Sequence, residues 1–164
     1  MNDFSFFNAF RSLISVILIN TIIIYSRINK KKIIFFYHPR KLAVGIHTFY
    51  VEDLLEEFRE SSVIIYGYND VKNFGKNYFF IKGSYLKLLL GIDIFMSANV
   101  SDVVVANSKK VYLNHHIYDS PLINFEKEKV LCRRFSKYDI VFLPSQDLIK
   151  LFNEMFARYS SFAD

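Results

Sequence analysis

The chain has 164 residues, 52% of them hydrophobic, with 18 Phe, 11 Tyr and no Trp. That length and apolar content fit one packed domain, with or without a membrane segment, and exclude a disordered chain. A formal charge of +5, from 21 basic and 16 acidic residues, suits an anionic substrate or a membrane surface; the cations are scattered among acids instead of lining up with stacking aromatics, so no nucleic-acid partner is expected.

The first thirty residues stand apart in composition. From Phe4 to Ser26 the text FSFFNAFRSLISVILINTIIIYS carries one charge, Arg11. As a helix it reaches roughly 30 to 35 Å, enough to cross a hydrocarbon layer. No small-residue cleavage site follows, and Lys30, Lys31 and Lys32 come next, so a retained anchor is expected in place of a removed signal peptide. The positive-inside rule then puts residues 30 to 164 at the cytoplasmic face of the membrane. Two rival readings are an in-plane helix, suited to Arg11, Asn8 and Asn20, and a domain helix packed on the core. The division is thus a hydrophobic helix with a basic flank over 1–30 and a Rossmann-like α/β domain over 31–164.

After residue 30, short β-rich runs alternate with helical patterns. IIFFY (33–37), SVIIYGY (62–68), YFFI (78–81), DVVVAN (102–107), VYL (111–113) and DIVFL (139–143) read as strands, most too uniformly apolar to have a wet face. Helices are predicted between them. In TFYVEDLLEEFRE, Val51, Leu54, Leu55 and Phe58 form an apolar stripe, with Thr48 as a cap. YLKLLLGIDIFMSA (85–98) reads as a buried helix interrupted by Gly91, a third helix covers about 125–137, and the last runs from Gln146 to about Tyr159 with Ser145 as cap. Strands alternating with helices mean an α/β fold: an open, doubly wound, mostly parallel sheet behind the hydrophobic N-terminal helix.

In such a sheet, ligands bind outside the carboxyl ends of the strands. All four histidines fall at that predicted edge: His38 ends the first strand, His47 lies in the following loop, and His115 and His116 follow VYL, with Asp119, Ser120 and Ser145 nearby. Each has a plainer reading. His38 precedes Pro39 and can simply end a strand, and His47 can sit beside a helix cap. A fully buried pair at His115 and His116 is costly without partners, so one ring is expected to face the crevice.

Other chemistries fit less well. Adjacent residues on an extended chain point to opposite sides, so His115 and His116 do not ligate one ion together, and no HExxH helix exists; no metal is expected. Neither a GxSxG elbow nor a GxGxxG fingerprint occurs, and the loop HPRKLAVGIHT has a single glycine, so no dinucleotide cofactor is expected. The single Cys132 excludes an internal disulfide and a multi-cysteine zinc site. Arg133 and Arg134 beside it could lower its pKa, against the plainer role of a small packed side chain.

KKVYLNHH resembles the strand-plus-histidine element of the CDP-glycerol glycerophosphotransferase family, the teichoic-acid-type polymerases and primases, in which such a strand runs into Trp-His-Gly. Asn114 stands where Trp is usual and His116 where Gly is usual. YDIVFLPSQDLIKLFNEMF resembles the family's strand, Pro-Ser helix start and amphipathic helix, and YHPRKLAVGIHTFYVEDLL the first strand, acceptor-side loop and helix of related GT-B surface-polysaccharide transferases. The resemblance spans about residues 31 to 160. It implies the acceptor-side half of a GT-B transferase, with the nucleotide-activated donor bound by a separate domain and a lipid-linked or polymer acceptor at the membrane. His115 takes the place of the family's acceptor-activating base, with His116 and Asp119 beside it and His38, His47, Ser120 and Ser145 as substrate-binding residues. A noncatalytic scaffold with the same fold is the alternative.

Overall fold

A computed structural model of the chain describes residues 3–38, 55–68, 78–98, 100, 103–114, 122 and 128–159. Helix α1 (Asp3–Ile28) leads into β1 (Lys32–His38), followed by β2 (Ser62–Tyr68), β3 (Tyr78–Phe80), a 3-10 helix (Gly83–Leu88) and β4 (Ile94–Ser97). Then come β5 (Lys109–Leu113), α2 (Glu128–Phe135), β6 (Ile140–Phe142) and α3 (Gln146–Tyr159).

The six strands form one open sheet in the order β3-β2-β1-β4-β5-β6, and every pairing is parallel. The chain starts near the middle of the sheet, winds outward to β3, then crosses back to β4 on the other side of β1. That is the doubly wound arrangement, and the order reverses between β1 and β4. The α/β class, the parallel sheet and the apolar N-terminal helix agree with the alternation read from the sequence.

The pleat of β1 divides the core. Ile33, Phe35 and Tyr37 join a cluster with Val16, Ile19 and Ile23 of α1, Leu131 and Phe135 of α2, and Met155 of α3. Ile34 and Phe36 point the other way, into a second cluster with Leu55, Tyr66 and Tyr68. Strands buried on both faces must be apolar throughout, and burial over six of the seven residues of β1 matches its unbroken IIFFYH text. Gly67 has a packing reason: a Cβ there would lie 2.4 Å from Cζ of the fully buried Phe35 ring.

The amino edge of the sheet is tied by two aspartates in the same way. The backbone N–H of Asp93 donates to the carbonyl of Ile33 at 3.1 Å, and its carboxylate accepts from the N–H of Ile33 at 2.7 Å. Likewise the N–H of Asp139 donates to the carbonyl of Lys110 at 2.9 Å, and its carboxylate accepts from the N–H of Lys110 at 2.6 Å. Each carboxylate satisfies a strand-start donor that the ladder leaves over.

Two predicted elements are corrected. The 85–98 stretch is not one helix: Leu86 and Leu88 belong to the 3-10 helix, Leu89 is already extended, Gly91 takes φ +72° and stops any helix, and IFMS becomes β4. Residues 103–107 are not a strand. Val105 is buried while Val103 and Val104 pack on the core from an irregular segment that ends in a turn at Asn107, with φ +57°; β4 and β5 pair directly and leave no place between them. Phe58, predicted on an apolar stripe, is exposed. By contrast α3 spans Gln146–Tyr159 as predicted, and the Leu148 N–H donates to Ser145 Oγ at 3.2 Å, the predicted N-cap. Thr48 and residues 51–54 of the acidic helix lie outside the described residues.

Candidate functional site

The carboxyl edge of a doubly wound sheet is where ligand sites form, centred where the strand order reverses. Here β1 contributes His38, β4 contributes Ser97, and β5 leads into Asn114. All three are polar and buried, at 1%, 0% and 8% exposure. Register places Tyr37 beside Ser97 and Ser97 beside Tyr112, so Ser97 faces the α1 side of the sheet, whereas His38 continues the Ile34–Phe36 row on the opposite face.

His38 is held by rings. It stacks on Tyr68 with centroids 5.9 Å apart and an interplanar angle of 17°, and meets Phe36 edge-on at 6.4 Å. Tyr78 in turn packs edge-on against Tyr66 at 5.1 Å and Tyr68 at 4.9 Å. An imidazole fixed in one orientation by such neighbours can accept a proton from, or donate a hydrogen bond to, a ligand that reaches the edge. Alternation of Tyr66 and Tyr68 along β2 was the sequence signal for this aromatic wall, and reading Ser97 into a helix hid its place at the edge.

β5 delivers Leu113 and Asn114 to the same edge, where the Asn114 N–H donates to the carbonyl of Phe142 at 3.0 Å and ties β5 to β6. Asn114 is the last described residue before the histidine pair in the chain. His47, His115, His116, Asp119 and Ser120 lie outside the described residues. Ser145 follows β6 at this edge, half-buried, with its hydroxyl capping α3.

Two further titratable groups are buried. Burial pushes the Tyr37 phenol well above its ordinary value of 10.0, and its hydroxyl donates to the Ile81 carbonyl at 3.4 Å. Cys132, where the neighbouring Arg133 and Arg134 offered an acidified thiol in the sequence, is buried in the core and its thiol pKa is instead raised by that burial. Among the described residues no group of three or more His, Cys, Asp or Glu side chains is placed to hold a metal ion.

A second feature runs along α1. One groove of about 400 Å³ is lined by Arg11, Ser15, Tyr78 and Phe80, with the Arg11 guanidinium 5.1 Å from the Phe80 ring centroid. Another of about 350 Å³ is lined by Ile24, Ile28, Leu90 and Gly91. Compared with known protein families, curated proteins and solved structures, the chain matches none.

Proposed function

We propose that this chain is the acceptor-side domain of a GT-B-type transferase that moves a glycosyl or glycerol-phosphate unit from a nucleotide-activated donor onto a lipid-linked or polymeric cell-envelope acceptor. The supporting observation is that β1 and β5 run parallel and end at one edge. His38 closes the first, and Asn114, directly before His115, closes the second. With only β4 between them, the two strand ends are about 10 Å apart, room for one ligand group.

In this reading His115 removes the proton of the acceptor hydroxyl as that oxygen bonds to the transferred group and the nucleotide leaves with the bonding electrons. Asp119 and His116 orient or balance that ring. His38, His47, Ser120 and Ser145 bind acceptor hydroxyls or phosphates, and the donor is held by a separate domain.

The test is a transfer assay with CDP-glycerol or a nucleotide sugar, in membranes that supply the donor-binding partner. His115→Ala is expected to lower turnover about a hundredfold or more, with the fold retained by circular dichroism; near-wild-type turnover removes His115 from the role. Calorimetric titration of the purified chain with glycerol phosphate oligomers separates the alternative. Heat that His38→Ala diminishes supports an acceptor site, and no heat with nucleotide, polyol phosphate or lipid acceptor supports a noncatalytic scaffold.

A further inference from the structure

Helix α1 is inverted relative to an ordinary surface helix. Its inward side carries Ser12, Ser15 and Ser26 among Val16, Ile19 and Ile23, all buried. Its outward side is large and apolar: Phe6, Phe10, Ile17, Ile24 and Ile28 are 53% to 74% exposed, and Leu13 and Leu18 are exposed with them. At 100° per residue these positions cover an arc of about 140° along about 33 Å of helix. Within that arc Thr21 turns its hydroxyl onto the Ile17 carbonyl at 2.9 Å, and the other hydroxyl belongs to the exposed Tyr25, an aromatic suited to a membrane interface. Contiguous apolar surface of this extent marks an interaction site.

The same helix is fastened to the domain at three levels. Ser12 Oγ accepts from the Lys82 N–H at 3.2 Å. Asn20 donates to the Leu88 carbonyl and accepts from the Leu90 N–H, both at 3.0 Å. Arg27 donates to the Gly91 carbonyl and the Asp93 carboxylate, both at 2.8 Å. Ser12 and Arg27 are separated by about 22 Å along the axis. A helix held to the α/β domain over that length cannot stand across a bilayer without drawing the domain into hydrocarbon, where the polar groups of its loops and sheet edges would be unsatisfied.

Charge identifies what covers the face. Residues 1–32 and 82–93 together carry seven basic side chains and two acids, Asp3 and the Asp93 that pairs with Arg27, whereas the rest of the chain balances. Lys30, Lys32 and Lys87 are exposed, and Leu88 and Leu90 extend the apolar surface beyond the helix.

We propose that α1, while docked on its own domain, lies in the plane of an anionic bilayer as a monotopic anchor: its outward face enters the acyl boundary, and Lys30, Lys32 and Lys87 meet lipid phosphates. The groove at Ile24, Ile28 and Leu90 takes part of an acyl chain. This deepens the membrane location of the transferase reading without needing its chemistry. Vesicle binding without transfer keeps the anchor and loses the enzyme, and transfer by a chain that ignores vesicles does the reverse.

The full chain is mixed with vesicles of phosphatidylcholine alone or with three parts in ten phosphatidylglycerol, and floated. Retention on the anionic vesicles is expected, with a loss of tenfold or more in Ile17→Glu/Ile24→Glu and none in Leu151→Glu, an exposed apolar control on α3. Because the chain has no Trp, Phe10→Trp, Ile17→Trp and Ile24→Trp each provide one probe for quenching by brominated lipids. Equal depth at all three supports the in-plane helix. A deep Ile17→Trp between two shallower probes means a spanning helix and overturns the proposal, as does wild-type chain that stays off vesicles or a dimer that buries α1 and excludes lipid.

Discussion

At the scale of single residues, small size matters most at Gly67. The Phe35 ring lies over it, and the ring is enclosed by Tyr37 and Phe95, with centroids 6.3 Å from each. A methyl group on residue 67 therefore forces a fully buried ring to move. Gly67→Ala is expected to lower stability by about 1 to 3 kcal/mol, read as a reduced denaturation midpoint at unchanged slope; an unchanged midpoint means the ring can give way. The glycine was visible in SVIIYGY, but its reason was not, because the ring above it comes from a different strand. His38 illustrates the same divide. Its position at a strand end was legible from YHP, whereas its stacking on Tyr68 depends on the register of β1 against β2, which no local pattern reveals.

At the scale of elements, sequence pattern worked best where one period ran without interruption. SVIIYGY is β2 to the residue, and the stripe of Leu148, Phe152, Met155 and Phe156 became α3, with its buried side against the core. It failed in YLKLLLGIDIFMSA, where a leucine run suggests helix but Gly91, in a left-handed conformation, divides a 3-10 turn from a strand. β4 also carries the point where the sheet reverses, so that error hid the centre of the candidate site. For α1, apolar content allowed several fates, and its tertiary hydrogen bonds to Lys82, Leu88, Leu90 and Gly91 show a helix docked on the domain. Its inward residues cover Ile33 and Phe35, so a chain lacking residues 1–28 is expected to lose cooperative folding. Thermal melting followed by circular dichroism checks this, and a sharp transition from the shortened chain would make α1 an appendage.

At the scale of the whole molecule, the raised values of Tyr37 and Cys132 become a statement about alkaline stability. Both are acids whose charged forms are disfavoured by burial. The unfolded chain releases these protons near the ordinary values of 9.0 for the thiol and 10.0 for the phenol while the folded chain retains them. Above that range the unfolded state binds fewer protons, so stability is full below about pH 9 and falls as pH rises. Tyr37→Phe should flatten the loss above pH 10, at a cost near 1 kcal/mol at neutral pH for the hydrogen bond to Ile81; denaturant midpoints at pH 7 and 10.5 provide the comparison. The overall class was legible because strand and helix texts alternate. Of the predicted site residues, His38 and Ser145 stand at the carboxyl edge, legible because each directly borders a strand or helix signal, whereas His47, His115, His116, Asp119 and Ser120 lie outside the described residues.

The strand order has a further consequence for the nascent polypeptide. β1 gains β2 after about thirty residues of synthesis, but its other margin waits for Ile94–Ser97. At ribosomal speeds of about 5 to 20 residues per second, that is an interval of roughly 3 to 12 seconds. During it, the apolar text of β1 has one bare flank, and α1 lacks the carbonyls of Leu88 and Gly91 that later fasten it. On the anchor proposal, a greasy helix made before its dock would meet a lipid surface before the sheet closes, and biogenesis and anchoring would become a single event.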